Sequence, residues 1–225
     1  MSIWILFGAF ALLSYLISNR LESKFKKYSK IPMNYGMTGK DVAEKMLHDN
    51  DIYDVQVVSV KGTLTDHYNP ANKTINLSED VYYGNSVAAA AVAAHETGHA
   101  VQHNTAYSWL QMRSSLVPIV SFASHWVQWV LLAGILLINT FPNLLLIGIC
   151  LFAMTTIFSI ITLPVEVNAS KRALVWLNTH NVTTPTTQNY AEDALRWAAY
   201  TYFIAALTSL ATLVYYIFIY LGRRD

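Results

Sequence analysis

Charge is distributed along this 225-residue chain in a way that few folds permit. No Asp, Glu, Lys or Arg occurs from Met1 to Asn19, from Ser114 to Val165, or from Ala198 to Gly222. A helix that crosses a bilayer needs about 20 mainly apolar residues. The first gap holds one span, from Ile3 to Ile17. The middle gap is 52 residues long, enough for two spans, and is broken at Asn139-Thr140-Phe141-Pro142-Asn143. It reads as a helical hairpin with a very short turn. The last gap holds a fourth span, Ala199 to Leu221. Its tyrosines, Tyr200, Tyr202, Tyr215, Tyr216 and Tyr220, lie toward the two ends, as interfacial aromatics do.

Composition agrees with a membrane protein. Hydrophobic residues are 54% and charged residues 13% of the chain, against about 25% charged in an average soluble protein. Disorder is excluded by the apolar mass. A net charge of +1 gives no basis for phosphate-driven nucleic-acid binding, and no nucleic-acid partner is expected. Cys150 is the sole cysteine, so neither an internal disulfide nor a cysteine zinc knuckle is available. The expected fold class is mainly α: four transmembrane helices with a small α+β cytoplasmic portion.

The first apolar run does not read as a cleaved signal peptide. No charge precedes Arg20, whereas Arg20, Lys24, Lys26, Lys27 and Lys30 follow it. The positive-inside rule therefore places the end of the first span in the cytoplasm and the turn at Pro142 outside. Lys171-Arg172 then returns to the cytoplasm. Arg223-Arg224 would fall outside, against the rule, but the five earlier charges outweigh that pair. The expected segments are 1–19 (first span), 20–113, 114–165 (hairpin), 166–197 and 198–225 (last span), with the water-facing segments 20–113 and 166–197 on the cytoplasmic side of a multi-pass cell-membrane protein.

Residues 20–113 read as α+β. Thr38 to Leu47 forms a short amphipathic helix. Residues 54–60 (DVQVVSV) alternate and are β-branched, as in a strand. A loop covers 66–72, and 73–77 (KTINL) reads as a second strand. Ser86 is a plausible N-cap for a long alanine-rich helix.

That helix carries the chemistry. His95-Glu96-Thr97-Gly98-His99 is H-E-x-x-H. Histidines at i and i+4 project from one helix face, about one turn apart. Both imidazoles can then bind one Zn²⁺. Glu96, beside the first ligand, is placed to act as general base. One zinc per chain is expected.

A catalytic zinc usually takes a third protein ligand. His103 is unsuited, because on a continuous helix it lies about 12 Å along the axis from His95. It reads as an outer-shell or surface histidine, and His125 as a structural one. Glu166 is the better third ligand. It ends the uncharged stretch just after Pro164, where the third span returns to the side of the His95 helix, and it opens what reads as a new helix. Trp126, Trp129, Trp176 and Trp197 read as interfacial or packing residues.

Together, LTDHYNP (64–70), NLS (76–78), VAAHETGHAVQH (92–103), LPVEVNASKRAL (163–174) and AEDALRWAAYTY (191–202) resemble the YugP-type neutral zinc metallopeptidases of bacteria over nearly the whole chain. That family is gluzincin-like and membrane-embedded, and is distantly similar to HtpX and the CAAX prenyl proteases. The resemblance implies a zincin-like portion, His95, His99 and Glu166 as zinc ligands, and Glu96 as catalyst. Asn168 and Asn69 stand where the family commonly has Asp. Asn168 could orient a ligand histidine through its amide oxygen.

Other candidates follow. His67 or Tyr68 could face the cleft, since zincin-type domains run an edge strand beside the active-site helix and edge strands bind extended peptide. Arg196 and Tyr200 on the last helix could stabilise an oxyanion, although Arg196 also suits an interfacial anchor. The function these features imply is a membrane zinc endopeptidase acting on membrane or membrane-proximal proteins, its partners being the lipid bilayer and a peptide or membrane-protein substrate. The competing class is a zinc-stabilised membrane scaffold or holdase without turnover. An intact Glu96 discriminates between them, because a structural site does not need it.

Overall fold

A computed structural model of the chain describes residues 3–33 and 36–222. Arg223 and Arg224 lie outside them. Among these residues seven helices occur in the order α1 (Ile3–Tyr28), α2 (Gly39–His48), α3 (Glu79–Tyr82), α4 (Val87–Asn104), α5 (Ser108–Leu136), α6 (Pro142–Thr179) and α7 (Pro185–Gly222). Three strands, β1 (Gln56–Val60), β2 (His67–Asn69) and β3 (Thr74–Ser78), fall between α2 and α3.

Local chemistry sets the element ends. Thr38 caps α2 through a capping box: its side chain accepts from the Asp41 backbone N–H, and Asp41 accepts from the Thr38 backbone N–H. Two orphan donors are satisfied by that exchange. Ser86 caps α4 by accepting from the Ala89 N–H at 3.2 Å. Pro142 begins α6, where its missing N–H costs nothing.

Among the described residues three helices, α5, α6 and α7, are long and apolar enough to cross a membrane. Among the residues of their most apolar windows, only 17%, 28% and 17% are buried. Phe122, Trp126, Trp129 and Leu136 stand out from α5 and Phe203, Leu210 and Phe218 from α7. Such faces require an apolar surrounding. The 38 residues of α6 span about 57 Å at 1.5 Å per residue, against a hydrocarbon core of about 30 Å. α6 is therefore longer than that core by about 27 Å, and Glu166 lies in its C-terminal half. The expected helix start at Glu166 is corrected: α6 runs unbroken through Pro164.

The sheet is small, with order β1-β3-β2. β1 runs parallel to β3, pairing Gln56 with Thr74 through Val60 with Ser78. β2 runs antiparallel to β3, pairing His67 with Asn76 and Asn69 with Thr74. The expected loop at 66–72 thus contains an edge strand. The core joins α2, α4, β3 and the C-terminal half of α6, with Val42, Met46, Ile75, Leu77, Val87, Ala173 and Leu177 all buried. The alanines of α4 admit its neighbours closely. A close approach is at Gly98, where a Cβ would stand 2.7 Å from the Ala169 carbonyl oxygen of α6. α1 is tied to α7 by Lys24 Nζ to Asp193 Oδ2 at 2.7 Å, and its Tyr28 ring stacks on Tyr190.

Candidate metal centre

Two elements build the centre. α4 supplies His95 and His99 one turn apart, their rings edge to face at 4.8 Å. α6 crosses α4 at Gly98 and brings Glu166 to both rings. Glu166 Oε2 lies 3.3 Å from His95 Nε2 and 3.5 Å from His99 Nε2. Ligand atoms of the three residues all fall within 4.8 Å of one another. Ligands at about 2.1 Å from a tetrahedral zinc are about 3.4 Å apart. Both His–Glu separations match that edge, and two imidazoles with one carboxylate form a donor set suited to Zn²⁺. The residues present fit the ion.

The far nitrogen of each ring is engaged. His95 Nδ1 lies 3.1 Å from Ser170 Oγ, and His99 Nδ1 lies 3.0 Å from Gln102 Oε1. A hydrogen bond from Nδ1–H leaves Nε2 as the lone-pair donor to a metal. Gln102 is fully buried. Its Nε2 donates to the Val165 carbonyl at 2.8 Å and to Asn168 Oδ1 at 3.0 Å. Asn168 also accepts from Arg172 Nε at 2.8 Å. Asn168 therefore does not orient a ligand histidine directly, as expected from the sequence; it holds Gln102, which does. An i, i+3 spacing from His99 was the signal that would have found Gln102.

Electrostatics favour a cation. Burial opposes charge on the His99 imidazole. Hydrogen bonding to Glu166 and the negative charges of Glu166 and Glu96 outweigh it and raise the pKa above the ordinary histidine value. Asp66, nearby, is raised by burial and by the charge of Glu96. Ser78 opposes that rise, its N–H and hydroxyl donating to Oδ1 at 2.7 and 3.0 Å.

Glu96 is buried, and its Oε2 accepts from the backbone N–H of Tyr68 at 3.0 Å. The edge strand β2 thereby holds the carboxylate beside the metal centre. A cavity of about 330 Å³ opens here, lined among others by His67, Tyr68, Glu96, His99, Arg113, Glu166 and Tyr202. A second, of about 190 Å³, adjoins it at Asp66, Glu96 and Tyr202 and is walled by Leu21, Phe25, Leu64, Val92 and Leu195.

His67 and Tyr68 are thus brought to the cleft. His103 is exposed and bonds the Tyr68 hydroxyl at 2.9 Å through Nδ1, so it touches the cleft wall and not the metal centre. His125 bonds the Ser121 carbonyl one turn back on α5. Arg196 and Tyr200 are not brought to the site. Arg196 reaches Glu192 at 3.7 Å on its own helix, and Tyr200 packs edge-on against Trp197. On α7 the cleft residue is Tyr202, about 200° around the helix from Tyr200. Arg113 on α5 is the cation that reaches the centre, its Nη1 lying 3.8 Å from Glu166 Oε1.

Residues 3–221 match the family model described as "Putative neutral zinc metallopeptidase". The chain is 43% identical over 213 residues to a Bacillus subtilis (strain 168) protein named "Putative membrane protease YugP", an alignment covering 95% of this chain and 94% of that protein. No solved structure matches.

Proposed function

Since the chain belongs to the neutral zinc metallopeptidase family, we propose that it is an integral-membrane endopeptidase with Glu96 as general base and His95, His99 and Glu166 as the zinc ligands. The observation that carries this is the His95–His99–Glu166 cluster, with the Glu96 carboxylate beside it in an open cavity. A closed structural site would need a fourth protein ligand and no neighbouring base. That argues against the scaffold reading.

Bound zinc would supply Lewis-acid polarisation of the scissile carbonyl and lower the pKa of the attacking water. Glu96, fixed by Tyr68 N–H, takes the proton from that water and hands it to the leaving amine. β2, whose Tyr68 N–H is taken up by Glu96, forms the cleft wall along which a peptide lies beside that carboxylate. Ser170 and Gln102 hold the two imidazoles in the tautomer that ligation requires.

In this reading α1 adds a fourth span to α5, α6 and α7. The described residues of the segments 1–19, 114–165 and 198–225 lie in the membrane. The zincin-like segment 20–113 and the ligand segment 166–197 face the cytoplasm. Substrates are membrane or membrane-proximal polypeptides, because the cleft opens between the sheet and the first turns of α5.

Glu96→Gln tests the proposal. It should retain zinc and lose turnover by roughly 10²–10⁴-fold on a membrane-protein or peptide library. His95→Ala should lose both. Wild-type cleavage rates in Glu96→Gln would refute the mechanism.

A further inference from the structure

Among the described residues that line the cleft, Arg113 is a cation that no role above absorbs. It sits in the second turn of α5, where the helix leaves the water-facing portion. Its Nε is buried and has no hydrogen-bond partner among the described residues. A buried guanidinium N–H without an acceptor is costly, so an arrangement that keeps one needs a reason. Its Nη1 stands 3.8 Å from Glu166 Oε1, beyond hydrogen-bond length, while the other oxygen of that carboxylate faces both histidines. The ion pair is therefore loose, and the fork remains available. Arg113 and Glu96 line the same cavity.

Resting on the peptidase reading, we propose that Arg113 is a catalytic residue that binds the oxyanion of the tetrahedral intermediate. Water oxygen bonds to the carbonyl carbon, and the C=O π pair moves onto the carbonyl oxygen. The water proton goes to Glu96. The new negative charge accepts hydrogen bonds from the Arg113 fork, which is planar, permanently charged and rich in donors. When the intermediate collapses, the pair returns to carbon, the C–N bond breaks, and the amine leaves with the proton from Glu96. The guanidinium is in place before the charge develops, which is the arrangement that favours the transition state over the neutral carbonyl. Glu166 keeps Arg113 from pairing elsewhere without saturating it. Arg196, paired along its own helix, has no such access.

The test uses the full zinc-loaded chain in detergent and two metal-directed probes. N-phosphoryl-Leu-Trp presents anionic phosphoryl oxygens like those of the intermediate; an amide-capped thiol dipeptide ligates through sulfur and presents none. Arg113→Gln should bind zinc as wild type does and keep its affinity for the thiol. Its affinity for the phosphoryl probe should fall by roughly 10²–10³-fold, the loss typical of one oxyanion donor. Arg113→Lys, which retains charge without the fork, should recover part of that loss and provides a second variant should Arg113→Gln fold poorly. Equal weakening of both probes, or loss of zinc, would make Arg113 a support for Glu166 and overturn the proposal. Unchanged phosphoryl binding would overturn it as well. Wild-type protein that holds zinc but binds neither probe would instead refute the peptidase reading, and the proposal with it.

Discussion

Gly98→Ala adds a single methyl at the point where the two ligand-bearing helices touch. A Cβ at Gly98 would stand 2.7 Å from the Ala169 carbonyl oxygen and 3.2 Å from its carbonyl carbon and Cα. All three are backbone atoms, so no rotamer change relieves the clash. Ordinary contact needs about 3.4 Å or more, so α4 and α6 must separate by about 0.7 Å. Overpacking of this kind costs about 1–3 kcal/mol, partly offset by the roughly 1 kcal/mol by which Ala exceeds Gly as a helix former. Net stability should fall by no more than about 2 kcal/mol. The metal centre is less tolerant. Ligand distances must hold within about ±0.2 Å, and Ala169 is less than one turn from Glu166. The expected result is a folded protein whose zinc affinity falls at least 10–100-fold, the loss typical of disturbing ligand orientation. Chelator competition measures the affinity, and thermal unfolding in detergent measures the stability. Gly134→Ala is the control. Its Cβ would meet the Leu145 backbone at 2.6 Å, between α5 and α6 and away from the site. It should lower stability and leave zinc affinity unchanged. If Gly98→Ala binds zinc as tightly as wild type, close approach of α4 and α6 does not set the site.

Gln102→Leu should lower zinc affinity about 10–100-fold in the same chelator assay, because it strips His99 Nδ1 of its partner. Thr38→Ala should cost about 1 kcal/mol in thermal unfolding by opening the α2 capping box. The Thr38 hydroxyl and backbone N–H hold the Asp41 carboxyl below its ordinary value. That contribution is present above the unfolded pKa and disappears as pH falls through the folded one, so the gap between Thr38→Ala and wild type should narrow in acid. With Cys150→Ser as background, Lys61→Cys and Thr186→Cys should react with an impermeant thiol reagent from one face of the membrane and Asn143→Cys from the other. Labelling of Lys61→Cys and Thr186→Cys from opposite faces would separate α4 from Glu166 and contradict the fold.

Features that depend on a few neighbouring residues were legible in the sequence. The i, i+4 histidines, the Thr38 and Ser86 caps, and the alternation along β1 are local patterns. Glu166 stood out because a charge at the end of a long uncharged stretch is costly unless something holds it. β2 was not legible: His67-Tyr68-Asn69 is too short for a period, and it is a strand only because β3 pairs with it. Pro164 suggested a break, yet α6 continues through it, since a helix extending from the membrane has enough neighbouring turns to tolerate one missing N–H. The cleft side of α7 was misread by two residues. Tyr200 and Tyr202 stand about 200° apart on the helix, and packing against α6, α1 and α4 selects Tyr202. Arg113 looked like the boundary charge of the span, and its direction depends on how α5 leaves α4.

Anomalous diffraction at the zinc absorption edge, on crystals of the wild-type chain in lipid or detergent, addresses the central claim most directly. The account predicts one anomalous peak per chain, within about 2.0–2.2 Å of His95 Nε2, His99 Nε2 and a Glu166 oxygen, with a fourth position open toward the Glu96 cavity. A peak closed by a fourth protein ligand, a peak that excludes Glu166, or zinc-loaded crystals with no peak at this cluster would contradict it.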